Sequence, residues 1–119
     1  MGLPRGLRLS RAAQFARVRA EGRTYPGRYL LVNVLCAPDI TSSQCGLITP
    51  RKLGNAVVRN KIRRRLREVV RIQEPRLRGP HWMVVVARFR APQASLAELE
   101  KDWLGLVRRA GLVEQVRKP

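Results

Sequence analysis

The stretch VVRNKIRRRLREVVR, from Val57 to Arg71, combines dense positive charge with a regular apolar pattern. Six of the nine residues from Arg59 to Arg67 are Lys or Arg, yet apolar side chains recur at positions 58, 62, 66 and 69. Steps of four, four and three place these apolar side chains on one stripe of an α-helix. We therefore predict an amphipathic helix from about Asn55 to Gln73, stopped by Pro75, rather than a flexible basic arm.

The charged side of this predicted helix has almost no negative partner. Asn60, Arg63, Arg64 and Arg67 fall opposite the apolar stripe, Lys61 and Arg65 flank it, and Glu68 is nearly the only acid. Like charges one turn apart repel by a few tenths of a kcal/mol per pair, and a polyanion would relieve that repulsion. The pattern favours a phosphate-rich ligand over a merely solvated face.

The composition agrees with that interpretation. The chain has 119 residues, 45% of them hydrophobic, which suffices for one domain with a modest core. It carries 25 Lys and Arg against 8 Asp and Glu, a formal charge of +17. Such an excess in a small domain indicates a nucleic acid partner.

Several other classes are disfavoured by the sequence. No apolar run approaches the roughly 18–20 residues of a membrane span, and the first residues lack the apolar core of a signal peptide, so we expect a cytoplasmic protein without a membrane partner. Cys36 and Cys45 should stay reduced, and with His81 they are too few ligands for a zinc centre. The carboxylates are scattered, and Glu98, Glu100 and Asp102 together fit a helix start better than a catalytic cluster.

The remaining elements can be predicted from local patterns. Ser10 is the expected N-cap of a first helix ending near Gly22, and a turn or short extended piece follows around Pro26–Gly27. Further predicted elements are a strand at Tyr29–Cys36, a strand at Cys45–Thr49 pairing antiparallel with it, a central strand at His81–Phe89, and a helix from the Ser95/Glu98 capping box to Gly111. The order helix, strand, strand, helix, strand, helix predicts a single-domain α/β sandwich, with residues 1–8 and 112–119 flexible.

Four segments together resemble one known family. RKLGNAVVRNKIRRRLRE, Arg51–Glu68, closely resembles the signature of the bacterial ribonuclease P protein subunit. FARVRAEGR at Phe15–Arg23, GLITPRK at Gly46–Lys52 and MVVVAR at Met83–Arg88 are similar to its first helix, strand entry and final strand. The resemblance implies a four-stranded sheet with about three helices, in the order α-β-β-(β)-α-β-α, and a left-handed crossover in place of the usual right-handed one.

The resemblance also implies a function in which the protein performs no chemistry itself. The family member assembles, as a monomer and one per RNA, with a large catalytic RNA that removes the 5′ leader of precursor tRNA. The protein would thus be the protein component of a ribonucleoprotein endoribonuclease. The Mg²⁺ needed would be held by the RNA partner and the substrate, and no catalytic or metal-binding residue is expected in this chain.

Two RNA-binding surfaces are implied by the same resemblance. The catalytic RNA would be bound by Arg59, Asn60, Lys61, Arg63, Arg64 and Arg67, where Lys61 replaces a commoner Arg. The precursor leader would lie in a cleft between the first helix and the sheet, bound by Phe15, Arg19, Arg28, Arg51, Lys52 and Arg88. Arg19 and Asn33 stand where relatives commonly carry aromatic rings, and Phe15 could be either a base platform or a core anchor.

Two competing functions remain. A ribosomal or general RNA-chaperone protein would share the charge but not the ordered set of motifs. A protein nuclease would need a carboxylate cluster or an activated histidine, and His81 is the only histidine.

Overall fold

The computed structural model describes residues 8–73 and 77–113. In chain order the elements are helix α1 (Ala12–Glu21), strands β1 (Arg23–Pro26), β2 (Leu30–Leu35) and β3 (Gln44–Ile48), helix α2 (Ala56–Gln73), strand β4 (Trp82–Ala87) and helix α3 (Leu96–Arg109). Short 3-10 helices at Arg51–Leu53 and Ala91–Gln93 precede α2 and α3. The predicted α/β class, with a four-stranded sheet and three helices, is confirmed.

The predicted ends fall mostly outside the described residues. Residues 1–7 and 114–119 lie outside them, as does Pro75, the predicted end of α2. Two residues predicted to lie in the flexible ends have contacts with the domain. Arg8 forms a bridge to Cys45 on β3, and Leu112 is buried with its carbonyl accepting a hydrogen bond from the Arg78 amide.

The sheet has the order β1-β2-β4-β3. β4 pairs antiparallel with β2 and parallel with β3, so α2 is the crossover between two parallel neighbours. The predicted antiparallel pairing of β3 with β2 is wrong, because β4, which is apolar along its whole length, lies between them. The segment predicted as a turn or extended piece forms β1, which pairs antiparallel with β2 at the sheet edge.

Both faces of the sheet are covered by helices, but unequally. Alternating residues of β2 and β4, such as Val32 and Val85, form one core with α2 and α3. Residues of the opposite parity, such as Leu35 and Val84, pack with Val18 of α1 in a second, smaller core. The strand register therefore sorts side chains between a face covered by two helices and a face covered only by α1.

Helix α2 has the predicted orientation. Ile62, Leu66 and Val69 are 2%, 0% and 1% exposed, whereas Arg64 is exposed on the outward side of the helix. The Asn55 side-chain Oδ1 accepts a hydrogen bond from the Val58 amide at 3.0 Å, so Asn55 caps the helix it was predicted to begin.

Helix α1 begins differently from the prediction. Arg11, not Ser10, is its N-cap residue, and the Gln14 side-chain Oε1 accepts hydrogen bonds from the amides of both Ser10 and Arg11. The Gln14 side chain, rather than the Ser10 hydroxyl, therefore makes the side-chain contacts at the start of α1. The predicted end near Gly22 is confirmed.

Helix α3 starts with the predicted capping box and holds the turn between β1 and β2. The Ser95 hydroxyl accepts from the Glu98 amide at 3.1 Å, and the Glu98 carboxylate accepts from the Ser95 amide at 3.0 Å. One turn later the Asp102 carboxylate accepts three hydrogen bonds from consecutive backbone amides of residues 28–30, at 2.9–3.1 Å. Charged hydrogen bonds of this kind fix the turn to the helix.

We expect Ile62→Asp to unfold the protein and Arg64→Ala to leave its melting temperature nearly unchanged. An unpaired carboxylate in the core costs several kcal/mol, whereas an exposed substitution changes the free energy of unfolding by about 0.5 kcal/mol or less. Thermal unfolding followed by circular dichroism measures both. If Arg64→Ala unfolds the protein and Ile62→Asp does not, α2 buries a different side from the one described here.

Candidate nucleic-acid interface

The outward side of α2 brings together the residues predicted to bind the catalytic RNA. Asn60, Lys61 and Arg64 are exposed, and Arg59, Arg63 and Arg67 are half-buried at the helix margins. A surface groove of about 440 Å³ is lined by Val57, Asn60, Arg63, Arg64 and Arg67. Val57 is 77% exposed and adds an apolar side chain that the sequence analysis did not assign to this surface. We call the outward side of α2 the α2 surface; it comprises Val57, Arg59, Asn60, Lys61, Arg63, Arg64 and Arg67.

Arg63 is the most firmly positioned cation of the α2 surface. Its guanidinium donates to the Thr49 hydroxyl at 2.6 Å and to the Asn60 side-chain oxygen at 3.2 Å. Thr49 is buried at the end of β3, so the contact ties the helix surface to the sheet. A guanidinium held in place loses less side-chain entropy when it binds a phosphate.

The single acid on this part of α2 does not neutralise the cluster. Glu68 pairs with Arg71 at 2.7 Å, and this hydrogen bond holds the pKa of the Glu68 carboxyl below its usual range. Among the described residues, the other ion pairs join Arg17 to Glu21 and Asp39. The cations of the α2 surface are therefore unpaired within the part of the chain that the structure describes.

Phe15, a residue of α1, packs over Gly46 of β3 next to the α2 surface. A Cβ atom on Gly46 would overlap the edge of the Phe15 ring, so the absence of a side chain at Gly46 allows the ring to approach the strand this closely. The ring is half-buried and packs against the smaller core, while it also lines a groove of about 270 Å³ with Arg8, Leu9, Arg63 and Arg67 among others. Phe15 therefore contacts the smaller core and also faces a groove, and its role as core anchor or base platform stays a prediction.

The predicted leader residues divide into two groups at opposite ends of the sheet. Helix α1, with Phe15 and the exposed Arg19, covers the end where β3 and β4 begin: Gln14 bonds Gln44, and the Arg17 guanidinium lies 5.5 Å from the Trp82 ring centroid. Arg28, Arg51, Lys52 and Arg88 lie at the other end, where β3 and β4 finish and β2 begins.

The two groups are separated by a row of half-buried apolar side chains. Leu31, Val86 and Ile48 are neighbours in the register of β2, β4 and β3, on the sheet face that α1 covers. We call the surface from Phe15 across this row to Arg88 the sheet groove. Arg28 instead lies beside the Tyr29 ring and lines a cavity against α3 with Glu98 and Asp102. This face of the sheet thus carries half-buried apolar side chains between cations near Phe15 and Arg88 beyond the end of β4.

The far end of the sheet groove is built by backbone contacts. The Arg88 guanidinium donates to the Gly27 carbonyl at 2.6 Å, and the Arg88 amide donates to the Tyr29 carbonyl at 2.8 Å. The Tyr29 hydroxyl donates to Glu98 at 2.8 Å, which raises the pKa of Tyr29. Hydrogen bonds from the Ser95 amide and then from Tyr29 lower the pKa of Glu98.

The sequence-based prediction did not identify two residues as exposed or groove-lining side chains. Arg8 was assigned to a flexible end, but it lines the groove beside Phe15, and the apolar Leu9 next to it was the available signal. Phe89 was assigned to a buried strand, yet β4 ends at Ala87 and Phe89 is 64% exposed. Its flanking arginines were the signal that the strand had already ended.

The described ranges, 8–73 and 77–113, contain neither a cluster of metal-ligating side chains nor a membrane-spanning helix. No group of three or more His, Cys, Asp or Glu side chains there is arranged to share a metal ion. None of the helices in that part of the chain is long and apolar enough to span a bilayer.

A small basic α/β domain with an unpaired cationic crossover helix beside a groove is typical of nucleic-acid-binding proteins. Comparison with known proteins makes the assignment specific. The family model for ribonuclease P matches residues 3–111, and the chain therefore belongs to the ribonuclease P protein family. Membership assigns it to tRNA processing, as the protein component of an RNA-based endoribonuclease with a ribonuclease P RNA as partner.

Individual relatives agree. The ribonuclease P protein component of Symbiobacterium thermophilum is 39% identical over 113 residues, which is 95% of this chain and 98% of the relative. That of Roseiflexus castenholzii is 41% identical over 115 residues, covering 94% and 92%. The structure of the Staphylococcus aureus RNase P protein matches 90% of this chain and 97% of that one, with a TM-score of 0.82 at 25% identity. The Thermotoga maritima RNase P protein, at 24% identity and a TM-score of 0.76, shares the fold over 91% and 98%.

Proposed function

We propose that the α2 surface binds the catalytic RNA of ribonuclease P and that the sheet groove holds the 5′ leader of precursor tRNA. The observation that carries the proposal is the state of the α2 cations. Arg59, Lys61, Arg63, Arg64 and Arg67 project from a helix whose other side is buried, and no carboxylate among the described residues pairs with them. A rigid array of this kind suits the phosphate backbone of a folded RNA.

The sheet groove suits a single strand better than a duplex. Single-stranded RNA binds along cationic paths that offer rings or apolar surface to its bases. The half-buried row Leu31, Val86 and Ile48 supplies the apolar floor, Phe15 supplies a ring edge, and Arg88 supplies charge at the far end. Arg19, exposed on α1, can stack its guanidinium plane on a base.

Arg63 and Arg67 lie between the two surfaces. They line the groove on the outside of α2 and also the groove that contains Phe15. In the proposed holoenzyme these two arginines border both RNA molecules, whereas Lys61 and Arg64 contact the catalytic RNA alone. Substitutions that separate the two functions therefore belong at Lys61 and Arg64, not at Arg63.

We further propose that hydrolysis is carried out by the RNA, with Mg²⁺ held by the RNA and the substrate. Most of the described carboxylates already have structural partners. Glu21 and Asp39 pair with Arg17, Glu68 pairs with Arg71, Glu98 caps α3, and Asp102 holds the turn at residues 28–30. The protein's contribution is to bind and orient the substrate. Family membership removes the support for a ribosomal or general RNA-chaperone protein.

The purified protein alone should leave precursor tRNA intact, and the protein added to a ribonuclease P RNA should restore cleavage at the 5′ end of the mature sequence at low Mg²⁺. The cause is that the protein supplies binding and charge neutralisation, while the RNA supplies the reacting groups. Gel analysis of end-labelled precursor measures both. Cleavage by protein rigorously freed of RNA would contradict the proposal.

The two surfaces should respond separately to substitution. Lys61→Ala with Arg64→Ala should weaken assembly with the catalytic RNA and lower the log–log salt slope by roughly 0.7–0.9 for each lost phosphate contact. Phe15→Leu should leave assembly intact while reducing the preference of the holoenzyme for precursor over mature tRNA, since a base loses about 1–3 kcal/mol of stacking. Titrations at several salt concentrations measure the two affinities.

Controls separate folding from binding in this experiment. Leucine preserves most of the apolar volume of Phe15, and Arg19→Ala is an exposed companion that tests the same groove without touching the core. Melting temperatures of all variants should match the wild type within a few degrees. Equal losses in both titrations for both sets would mean one undifferentiated basic surface.

A further inference from the structure

Phe89 is an exposed ring in a cationic setting. Of the aromatic side chains in residues 8–73 and 77–113, it alone is more than about a third exposed, at 64%. It lies in the turn that follows β4, closed by a hydrogen bond from the Ala91 amide to the Arg88 carbonyl at 2.9 Å. The Arg90 guanidinium carbon lies 5.3 Å from the ring centroid, within the range of a cation–π contact.

A second guanidinium–ring pair is attached to the first. The Arg28 guanidinium carbon lies 5.4 Å from the Tyr29 ring centroid, on the turn between β1 and β2. Arg88 joins the two turns through its hydrogen bond to the Gly27 carbonyl. We call Arg28, Arg88, Phe89 and Arg90 the Phe89 corner.

The Phe89 corner is rigid and positively charged. The turn carrying Arg28 is fixed by the Asp102 carboxylate, which uses its oxygens on three backbone amides. No ion pair between described residues involves Arg28, Arg88 or Arg90. An open ring among unpaired guanidinium groups presents stacking surface and phosphate ligands together.

The position of the corner identifies its ligand. β4 runs from Val86, on the floor of the sheet groove, directly into Arg88 and Phe89. A single strand that lies over the floor and runs from Phe15 towards the end of β4 would reach the turn that carries Phe89. The RNA that the proposed function puts on this path is the precursor leader.

We propose that Phe89, with Arg90, stacks one unpaired base of the 5′ leader where the leader leaves the sheet groove. This proposal rests on the function proposed above, because it requires the leader to occupy the groove. Aromatic faces and guanidinium planes stack on any unpaired base, so the contact favours the presence of a base over its identity.

The test uses holoenzyme reconstituted with wild-type protein, Phe89→Ala, Phe89→Trp or Ile72→Ala. Ile72, on α2 and 44% exposed, is the matched control for loss of an exposed apolar side chain outside both RNA surfaces. Each holoenzyme is titrated with mature tRNA and with precursor tRNAs that carry a single abasic nucleotide at successive leader positions. Catalytic RNA binding and melting temperature are measured for each protein.

With the wild type, removal of one particular leader base should weaken precursor binding at least about fivefold, the lower limit for one stacked base. Phe89→Ala should weaken binding of the intact precursor by a similar factor and show no further loss at that abasic position. Phe89→Trp should retain both the affinity and the abasic sensitivity, and Ile72→Ala should match the wild type. Mature tRNA and catalytic RNA should bind all four proteins equally.

Three results would overturn the assignment. Unchanged precursor affinity in Phe89→Ala, in a holoenzyme that still prefers precursor over mature tRNA, would reject the role of Phe89 while sparing the proposed function. A loss of catalytic RNA binding in Phe89→Ala would assign the corner to the other RNA. A wild-type holoenzyme without any preference for precursor would reject the leader groove itself, and the Phe89 role with it.

Discussion

The burial of one apolar stripe of α2 against the sheet determines where the outward cations lie. Ile62, Leu66 and Val69 are at most 2% exposed, which leaves the helix no freedom to rotate. Rotating α2 about its axis by about 100°, the angle between successive residues, would bring Lys61 or Arg63 into the core. Each unpaired buried charge would cost several kcal/mol. The hydrophobic contact therefore maintains a row of like charges that would otherwise separate.

The few acids of the chain stabilise the scaffold and leave the RNA-binding surfaces positive. Asp102 fixes the turn that carries Arg28, and Glu98 caps α3 and accepts from Tyr29. The lowered pKa of Glu98 means that this contribution is complete above the ordinary carboxyl pKa and is lost as the pH falls through the lowered value. Around neutral pH the scaffold keeps its contacts while the cations remain available to phosphate.

The sequence predicted the features that depend on local pattern. The spacing of Ile62 and Leu66 predicted the orientation of α2, and Ser95 with Glu98 predicted the start of α3, because helix periodicity and capping involve residues within a few positions of one another. The partner of β3 was predicted wrongly because strand pairing depends on long-range packing: β4, which follows α2 in the chain, lies between β2 and β3 in the sheet. The sequence indicated which residue types would bind RNA, but not which of them lie close together in space. The structure brings Arg63 beside Phe15 and puts Arg28 at the opposite end of the sheet, and no spacing in the sequence predicts this arrangement.

We infer that the α2 cations repel one another in the free protein and that burial of the apolar stripe of α2 holds them in place. The most direct measurement is the melting temperature of the RNA-free protein as NaCl rises from roughly 0.01 M to 0.15 M, over which the screening length falls from about 30 Å to about 8 Å. The account predicts that the melting temperature rises with salt, and rises less in a variant combining Lys61→Ala with Arg64→Ala. A melting temperature that falls with salt, or an equal rise in both proteins, would show that these cations are not under mutual repulsion and would contradict the account.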